Sequence, residues 1–320
     1  MKAIRVHAFG DPTVLKFEDA PALTPGPNQI LIRVRAAGVN PVETYIRAGK
    51  YGPKEFPFTP GNDAAGTVEK VGPGVEQFKP GDRLFTDKTM TGSYAELTLC
   101  DAKYVHTLPE KISFQEGAAI GTPAGTAYRG LFQRGRGIAG ETVLIHGATG
   151  GVGTMAIQLA RAAGMTVVAT AGSDDGRRYA QEQGAHAAVD HKVTERPEEI
   201  ASLTRGRGFD LILEMLANVN LASDLTNAVA QHGRIVVIGS RGRIEIDPRD
   251  TMRREADVLG LMLFGANEME HRQMYAAITA ALEVGTLRPT IGMEIPLSDA
   301  ARAHREVMEG KSHGKIVLIP

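Results

Sequence analysis

The segment that most limits the possible folds is Glu141-Thr-Val-Leu-Ile-His-Gly-Ala-Thr-Gly-Gly-Val-Gly153, which runs from a continuous apolar stretch into a glycine-rich turn. Ala148, Gly150 and Gly153 stand in an A-x-G-x-x-G register, a variant of the dinucleotide fingerprint. Such a turn lets backbone approach a pyrophosphate, whose charge is stabilised by free N–H groups at a helix N-terminus. The motif is informative only between a strand and a helix within a series of βα units. The following sequence supplies that setting. Helix Gly150–Ala163 is followed by Gly164 as a left-handed cap, strand Thr166–Thr170, helix Asp175–Gln183 ending at Gly184, and short strands near Ala187–Val189 and Asp210–Glu214. Helix Leu221–Gln231 and strand Arg234–Ile238 continue the alternation. Val/Ile/Leu runs that each lead into a helix predict a doubly wound parallel sheet covered on both faces, an α/β fold.

The N-terminal region is patterned differently. Lys2–Phe9, Ile30–Ala37, Gly66–Val71, Arg83–Phe85 and Tyr94–Leu99 read as strands between turns such as Pro25-Gly26-Pro27, Gly72-Pro73-Gly74 and Lys79-Pro80-Gly81-Asp82. Many short strands favour a closed or rolled sheet that hides its edges. After Gly121, Thr126–Gln133 reads as helical and Glu141–His146 as a buried strand. The tail returns to short, turn-bounded elements, with helix His271–Leu282, a strand near Met293–Ile295, a helix capped by Ser298 and stopping at Gly310, and strand Lys315–Ile319. This tail is too small to stand alone. The expected organisation is therefore one discontinuous domain, 1–122 with 265–320, interrupted by an inserted domain, 123–264.

Composition excludes several classes. The 320 residues carry 36 Lys+Arg against 37 Asp+Glu, a formal net charge of −1, and contain no basic run to attract nucleic acid or an anionic membrane. The uncharged stretch Thr142–Ala160 holds His146 and four glycines, which unfits it as a bilayer helix, and MKAIRVHAFGDP lacks an apolar leader core. A soluble cytoplasmic protein is expected. One cysteine, Cys100, allows no disulfide and reads as a small buried hydrophobe. The nine histidines are scattered, with no H-E-x-x-H and no cysteine partners, so neither catalytic nor structural zinc is expected. No G-x-S-x-G elbow is present either. His146 and His191 follow strands at the end where open sheets bind ligands, although both also suit ordinary loop histidines.

The second strand ends Thr170-Ala171-Gly172-Ser173, without the acidic residue that would bond a ribose 2′-OH and repel a 2′-phosphate. NADPH is favoured over NADH. Asp174 and Asp175 oppose that preference, while Arg177, Arg178 and Arg241 offer compensating positive charge or merely a solvated face.

Five segments carry a family resemblance: Ala37-Gly-Val-Asn-Pro-Val-Glu-Thr-Tyr-Ile-Arg47, Pro60-Gly-Asn-Asp-Ala-Ala-Gly66, His146-Gly-Ala-Thr-Gly-Gly-Val-Gly153, Glu214-Met-Leu-Ala-Asn-Val-Asn-Leu221 and Ile238-Gly-Ser-Arg241. Across its whole length the chain resembles the zinc-free quinone oxidoreductases of the medium-chain dehydrogenase/reductase superfamily, zeta-crystallin type. Zinc-dependent relatives place a Cys after A-G-V and a His in the later motif; here Asn40 and Asn62-Asp63 stand there.

The resemblance implies a GroES-like catalytic domain, a Rossmann NADPH domain, and an active site in the cleft between them. It implies cofactor contacts at Tyr45, at Thr149, Gly150, Gly151 and Val152, at Gly172, His191 and Asn220, and at Ile238, Gly239, Ser240 and Arg241. Leu261, Met262, Leu263 and Phe264 would line the nicotinamide end. Some bacterial members carry a lysine where Gly176 stands, so the 2′-phosphate must meet another cation or be held less firmly. Asn40, Tyr45 and Thr126 are the candidate catalytic groups, with ring packing an equal reading for Tyr45. The implied activity is NADPH-dependent reduction of a small-molecule quinone without metal, by a homodimer or homotetramer. The alternatives are an enoyl or alkenal reductase acting on an activated C=C bond, and a cofactor-binding protein with an RNA-binding or structural role.

Overall fold

The turn-punctuated N-terminal region folds into strands β1 (Lys2–Val6), β2 (Leu15–Asp19), β3 (Gln29–Val39), β4 (Ala64–Val71), β5 (Arg83–Thr86), β6 (Leu97–Asp101) and β7 (Val105–Thr107). The structure, a computed structural model, describes residues 1–309 and 313–320. Helices α1 (Pro41–Arg47), α2 (Phe114–Ala118) and α3 (Gly121–Tyr128) complete this stretch. The alternating part follows as β8 (Thr142–Ile145), α4 (Gly151–Ala162), β9 (Thr166–Thr170), α5 (Asp174–Glu182), β10 (Ala187–Val189), α6 (Pro197–Thr204), β11 (Phe209–Glu214), α7 (Ala217–Ser223), β12 (Val229–Val237), α8 (Pro248–Arg254), β13 (Asp257–Gly260) and α9 (Glu268–Val284). β14 (Ile291–Pro296), α10 (Ala300–Glu309) and β15 (Lys315–Ile319) end the chain.

Two units result, Met1–Pro123 with Pro289–Pro320, and Ala124–Arg288. The first unit is built on a seven-stranded sheet ordered β14-β15-β3-β4-β5-β7, with β6 also paired to β3. Its centre is β3, the longest strand, which pairs antiparallel with β4, β6 and β15. Ile4, Val34, Tyr94, Ile316 and Leu318 belong to one core, and Ile30, Ile32, Leu84 and Cys100 to another. The C-terminal strand is thus part of this unit's own core, as expected for a discontinuous domain. Cys100 is fully buried, and burial pushes its thiol up to about 12, so it behaves as a hydrophobe.

The second unit holds a wholly parallel six-stranded sheet in the order β10-β9-β8-β11-β12-β13. Counted from β8, this is the 3-2-1-4-5-6 order of the Rossmann fold. β8 is buried at every position because helices cover both faces.

Several boundaries differ from expectation. The helix expected over Leu221–Gln231 lies four residues earlier; a π-turn over Asp224–Ala228 follows α7, and Val229 already pairs with Phe209. The wide turn places Asp224 in the interior, which periodicity does not encode. α3 starts at Gly121, and a second π-turn, Arg129–Arg134, replaces its expected last turn. Tyr94 precedes its strand and instead fills the core. Ser298 does not cap a helix but lies in a 3-10 turn, Leu297–Asp299. The expected stop at Gly310 lies outside the described residues. Helix α9, expected with the first domain from residue 265, sits in the second unit. There Arg129 pairs with Glu270 at 2.9 Å, and Gln133 Nε2 donates to the Glu270 carbonyl at 2.8 Å.

Candidate functional site

The two halves of the parallel sheet wind away from β8 and β11, and the chain leaves each strand at the same carboxyl edge, where doubly wound sheets bind ligands. Gly147 leaves β8 with φ +62°, a left-handed conformation available to glycine at little cost. A Cβ on Gly153 would stand 2.4 Å from the Gly147 carbonyl oxygen and 2.7 Å from Ala148 Cα, so only glycine lets α4 pack against the turn. Gly150 opens α4 without any side-chain cap, leaving its first N–H groups available to an external acceptor. These features fit a dinucleotide pyrophosphate.

The other sequence-predicted cofactor residues of this unit follow the ends of the remaining strands. Gly172 comes after β9, His191 after β10, Asn220 after β11, Ile238–Arg241 after β12, and Leu261–Phe264 after β13. A Cβ on Gly172 would stand 3.0 Å from His191 Nε2, so glycine keeps this edge open beside the imidazole. Asn218 Oδ1 accepts the Arg241 N–H at 2.7 Å and fixes the loop after β12. Met262 and Phe264 are 53% and 41% exposed, an apolar surface at the sheet's last carboxyl end. Ser173 caps α5 by accepting the Gly176 N–H at 3.0 Å. The cations proposed for charge compensation are differently placed: Arg177 pairs with Asp174 and Arg178 with Asp175, each within its own helix. Arg241 is exposed and its side chain has no ion pair among the described residues.

His146 and His191 share one hydroxyl. Thr170 Oγ1 lies 3.3 Å from His146 Nδ1 and 3.2 Å from His191 Nδ1, and it accepts the Gly147 N–H at 3.4 Å. Sequence reasoning reads His146 as an ordinary loop histidine and misses its acidic partners. Its Nε2 faces Asp224 at 3.1 Å and Glu214 at 3.6 Å, both carboxylates being fully buried. The one visible signal is an acidic residue ending the apolar strand Phe209–Glu214.

In the first unit, Asn40 caps α1 and is almost fully buried. Its amide nitrogen donates to Asp63 at 2.9 Å and to Glu43 at 3.2 Å, while its oxygen accepts from Lys315. Asp63 also accepts the Thr122 N–H at 2.8 Å and hydroxyl at 2.6 Å. Burial, then the charge of Asp63, pushes Glu43 up to about 7; burial also raises Asp63 and lowers Lys315. The position where zinc-dependent relatives were expected to carry a Cys is therefore saturated by an organic ion network.

Tyr45, on the same α1, is half-buried and its hydroxyl has no partner among the described residues. Thr126, on α3 in the second unit, is buried and its hydroxyl likewise forms no hydrogen bond among the described residues. No helix among the described residues is long and apolar enough to cross a membrane.

Comparison with known proteins agrees with this layout. Residues 26–110 match the family described as alcohol dehydrogenase GroES-like domain, and residues 151–280 match that described as zinc-binding dehydrogenase. The chain is 46% identical over 322 residues to the quinone oxidoreductase of Homo sapiens, covering 100% of this chain and 98% of that one. Among solved structures, an NAD-dependent alcohol dehydrogenase is similar with TM-score 0.93 and 30% identity, covering 100% of both chains. Escherichia coli quinone oxidoreductase complexed with NADPH gives TM-score 0.91 and 27% identity, again over 100% of both chains.

Proposed function

This chain belongs to the quinone oxidoreductases of the medium-chain dehydrogenase/reductase superfamily, and from that membership we infer an NADPH:quinone oxidoreductase with its cofactor on the carboxyl edge of the parallel sheet. The activity is carried by the full-length similarity to quinone oxidoreductases. The cofactor's place is supported by the uncapped glycine turn before α4.

Thr149, Gly150, Gly151 and Val152 hold the pyrophosphate through backbone N–H groups. Gly172 and His191 flank the adenosine ribose, while Asn220 and Ile238–Arg241 hold the nicotinamide half. Leu261–Phe264 supply an apolar wall at the nicotinamide. Arg241 is the best-placed cation for a phosphate, because Arg177 and Arg178 must first leave their own aspartates. When bound, NADPH supplies the reducing equivalents. A quinone is already strongly electrophilic, so the protein contributes mainly orientation and exclusion of water. Tyr45 and Thr126 each carry a hydroxyl without a partner among the described residues, and each is a candidate donor to an acceptor oxygen or the carboxamide. Asn40 acts one step removed, by fixing the start of α1, because its own amide is fully engaged.

The functional domains follow the two units, 1–123 with 289–320 for the quinone side and 124–288 for the cofactor. A homodimer is supported by the exposed outer strand β13, and a reducing cytoplasm by the single buried cysteine.

The test is oxidation of NADPH and NADH with a panel of quinones and α,β-unsaturated ketones, with and without chelator. NADPH with quinones should turn over fastest and ignore the chelator. Loss of activity in chelator, or turnover of the unsaturated ketones alone, overturns the assignment.

A further inference from the structure

Directly beneath the glycine turn lies a sealed set of ionisable groups that quinone reduction does not use. His146 is 2% exposed, and Glu214 and Asp224 are fully buried. Glu214 Oε2 and Asp224 Oδ2 are buried with no hydrogen-bond partner, although the ligand-type atoms of all three residues lie within 4.8 Å of one another. With both carboxylates ionised, even a charged imidazole leaves one negative charge uncompensated in an apolar interior, an expensive arrangement. A proton held between the two carboxyl groups removes that charge and satisfies the orphaned oxygens together.

Each member is tied to a segment assigned above to the cofactor, Asp224 through its N–H, which donates to the Asn220 carbonyl. His146 ends the run into the glycine turn, and its N–H donates to the Leu213 carbonyl at 3.1 Å. Glu214 Oε1 accepts from the Leu216 N–H and from Asn220 Nδ2. The backbone carbonyl of Glu214 accepts the Ile238 N–H at 2.8 Å and the Gly239 N–H at 3.3 Å. A Cβ on Gly239 would meet the Met215 carbonyl at 2.5 Å, so the strand end and the 238–241 loop pack backbone against backbone.

We propose that His146, Glu214 and Asp224 form a proton-sharing triad whose residues position the glycine turn and the 238–241 loop, so that cofactor affinity depends on the proton retained between the two carboxyl groups. The proposal rests on the cofactor placement given above. Burial, together with the proximity of Asp224, pushes Glu214 up to about 7 against the opposing charge of His146. Burial disfavours the charged His146, but the Asp224 carboxylate and then Glu214 outweigh it and raise its pKa. The other charged groups facing the triad are His191, across Thr170, and beyond it Asp190 and Arg177; burial and the charge of His146 hold His191 below its usual range. As pH rises through neutrality the triad gains negative charge and its carboxylates repel, directly below a turn that must accept an anionic diphosphate.

The experiment is titration of the full-length protein with NADPH and with NADH between about pH 6 and pH 9, for wild type, Glu214→Gln and Asp224→Asn. Using both nucleotides removes the contribution of the 2′-phosphate. The wild-type Kd for each should rise above about pH 7, approaching tenfold per pH unit, whereas Glu214→Gln, which supplies a permanent N–H, should bind with a flat profile. Because Glu43 also titrates at about 7, infrared spectra are taken on unliganded Glu43→Gln protein, which should show a protonated-carboxyl band at about pH 6 that fades by about pH 9 and is lost when Glu214→Gln is added. If Glu214→Gln and Asp224→Asn do not fold, the band in the Glu43→Gln protein decides alone: its titration supports the triad and its absence overturns it. A flat wild-type affinity profile overturns the proposal, as does a stoichiometric divalent metal in the purified protein that Glu214→Gln removes. Failure of both nucleotides to bind at every pH, with the carboxyl band still titrating, overturns the cofactor placement and the affinity link but leaves the shared proton standing.

Discussion

Lys315 enters the first unit as the opening residue of the apolar run Lys315–Ile319 and ends fully buried against Asn40 and Asp63. Its role is to neutralise Asp63, whose other acceptor sites are filled by Thr122 and the Asn40 amide. Lys315→Met therefore strands a buried carboxylate, and urea unfolding should register a loss of about 3–5 kcal/mol; a loss below about 1 kcal/mol would mean that the network relaxes freely. Glu43 gives a pH dependence of definite sign. Its folded pKa of about 7 lies above the ordinary 4.5, so the folded protein holds more protons than the unfolded chain between those values. Stability from this group is intact at low pH and falls as pH rises from 4.5 through about 7, by about 3 kcal/mol at most. Glu43→Gln should flatten that slope, as measured by denaturation at several pH values. At this scale the sequence is least legible. Asn40 reads as a catalytic candidate because it follows A-G-V, yet its amide is saturated by a lysine 275 positions away, and no local pattern announces that pairing. The Tyr45 hydroxyl has no partner among the described residues. Tyr45→Phe should alter cofactor or quinone affinity more than turnover, and a thousandfold fall in kcat with affinity intact, about 4 kcal/mol, would place Tyr45 in the chemical step itself.

Elements whose ends carry their own chemistry were readable from sequence, and those shaped by a distant partner were not. α4 is preceded by uncapped Gly150, followed by Gly164 at φ +79°, and has an apolar face buried from Met155 to Ala160 at all but Gln158. α9, expected over His271–Leu282, is longer at both ends, where the Asn267–Glu270 box and Gly285 at φ +80° close it over Glu268–Val284. By contrast, α7 gives way to a π-turn where Asp224 meets His146, and α3 does so beside α9; both turns answer to tertiary partners. The contact between α4 and its turn makes a sharp test. Gly153→Ala puts a methyl group against the Gly147 carbonyl and Ala148 Cα, which are backbone and cannot rotate away. The turn must open, with an expected loss of about 1–3 kcal/mol in stability and at least about tenfold in NADPH affinity. Thermal denaturation with and without NADPH measures both; unchanged affinity would detach the turn from cofactor binding.

For the whole molecule, alternation of strand and helix after Gly121 was enough to predict the parallel sheet and its insertion, because handedness and strand burial leave few arrangements. The return point was not, since α9 carries the same periodicity whichever core it covers, and only partners such as Arg129 and Gln133 assign it to the second unit. The same sheet leaves one feature open. β13 is its last strand, pairs among the described residues only with β12, and exposes Asp257, Val258 and Gly260. An outer strand of this kind presents N–H and C=O groups that proteins protect with charge, bulges or a partner, and here Arg134 Nε covers only the Gly260 carbonyl, at 3.0 Å. A second copy related by a twofold axis would pair β13 with β13 antiparallel and satisfy both edges at once. Asp257 is already engaged by Arg136 within the chain, so its charge is partly neutralised and does little to repel a partner. Val258, 40% exposed, is the position at which one charge per subunit would oppose its symmetry mate with least cost to the fold. Light scattering should show wild type as a dimer or tetramer and Val258→Lys shifted toward the smaller species, with unfolding free energy at high dilution changed by less than about 1 kcal/mol. A wild-type monomer, or a variant whose mass is unchanged, would assign the β13 edge no part in assembly.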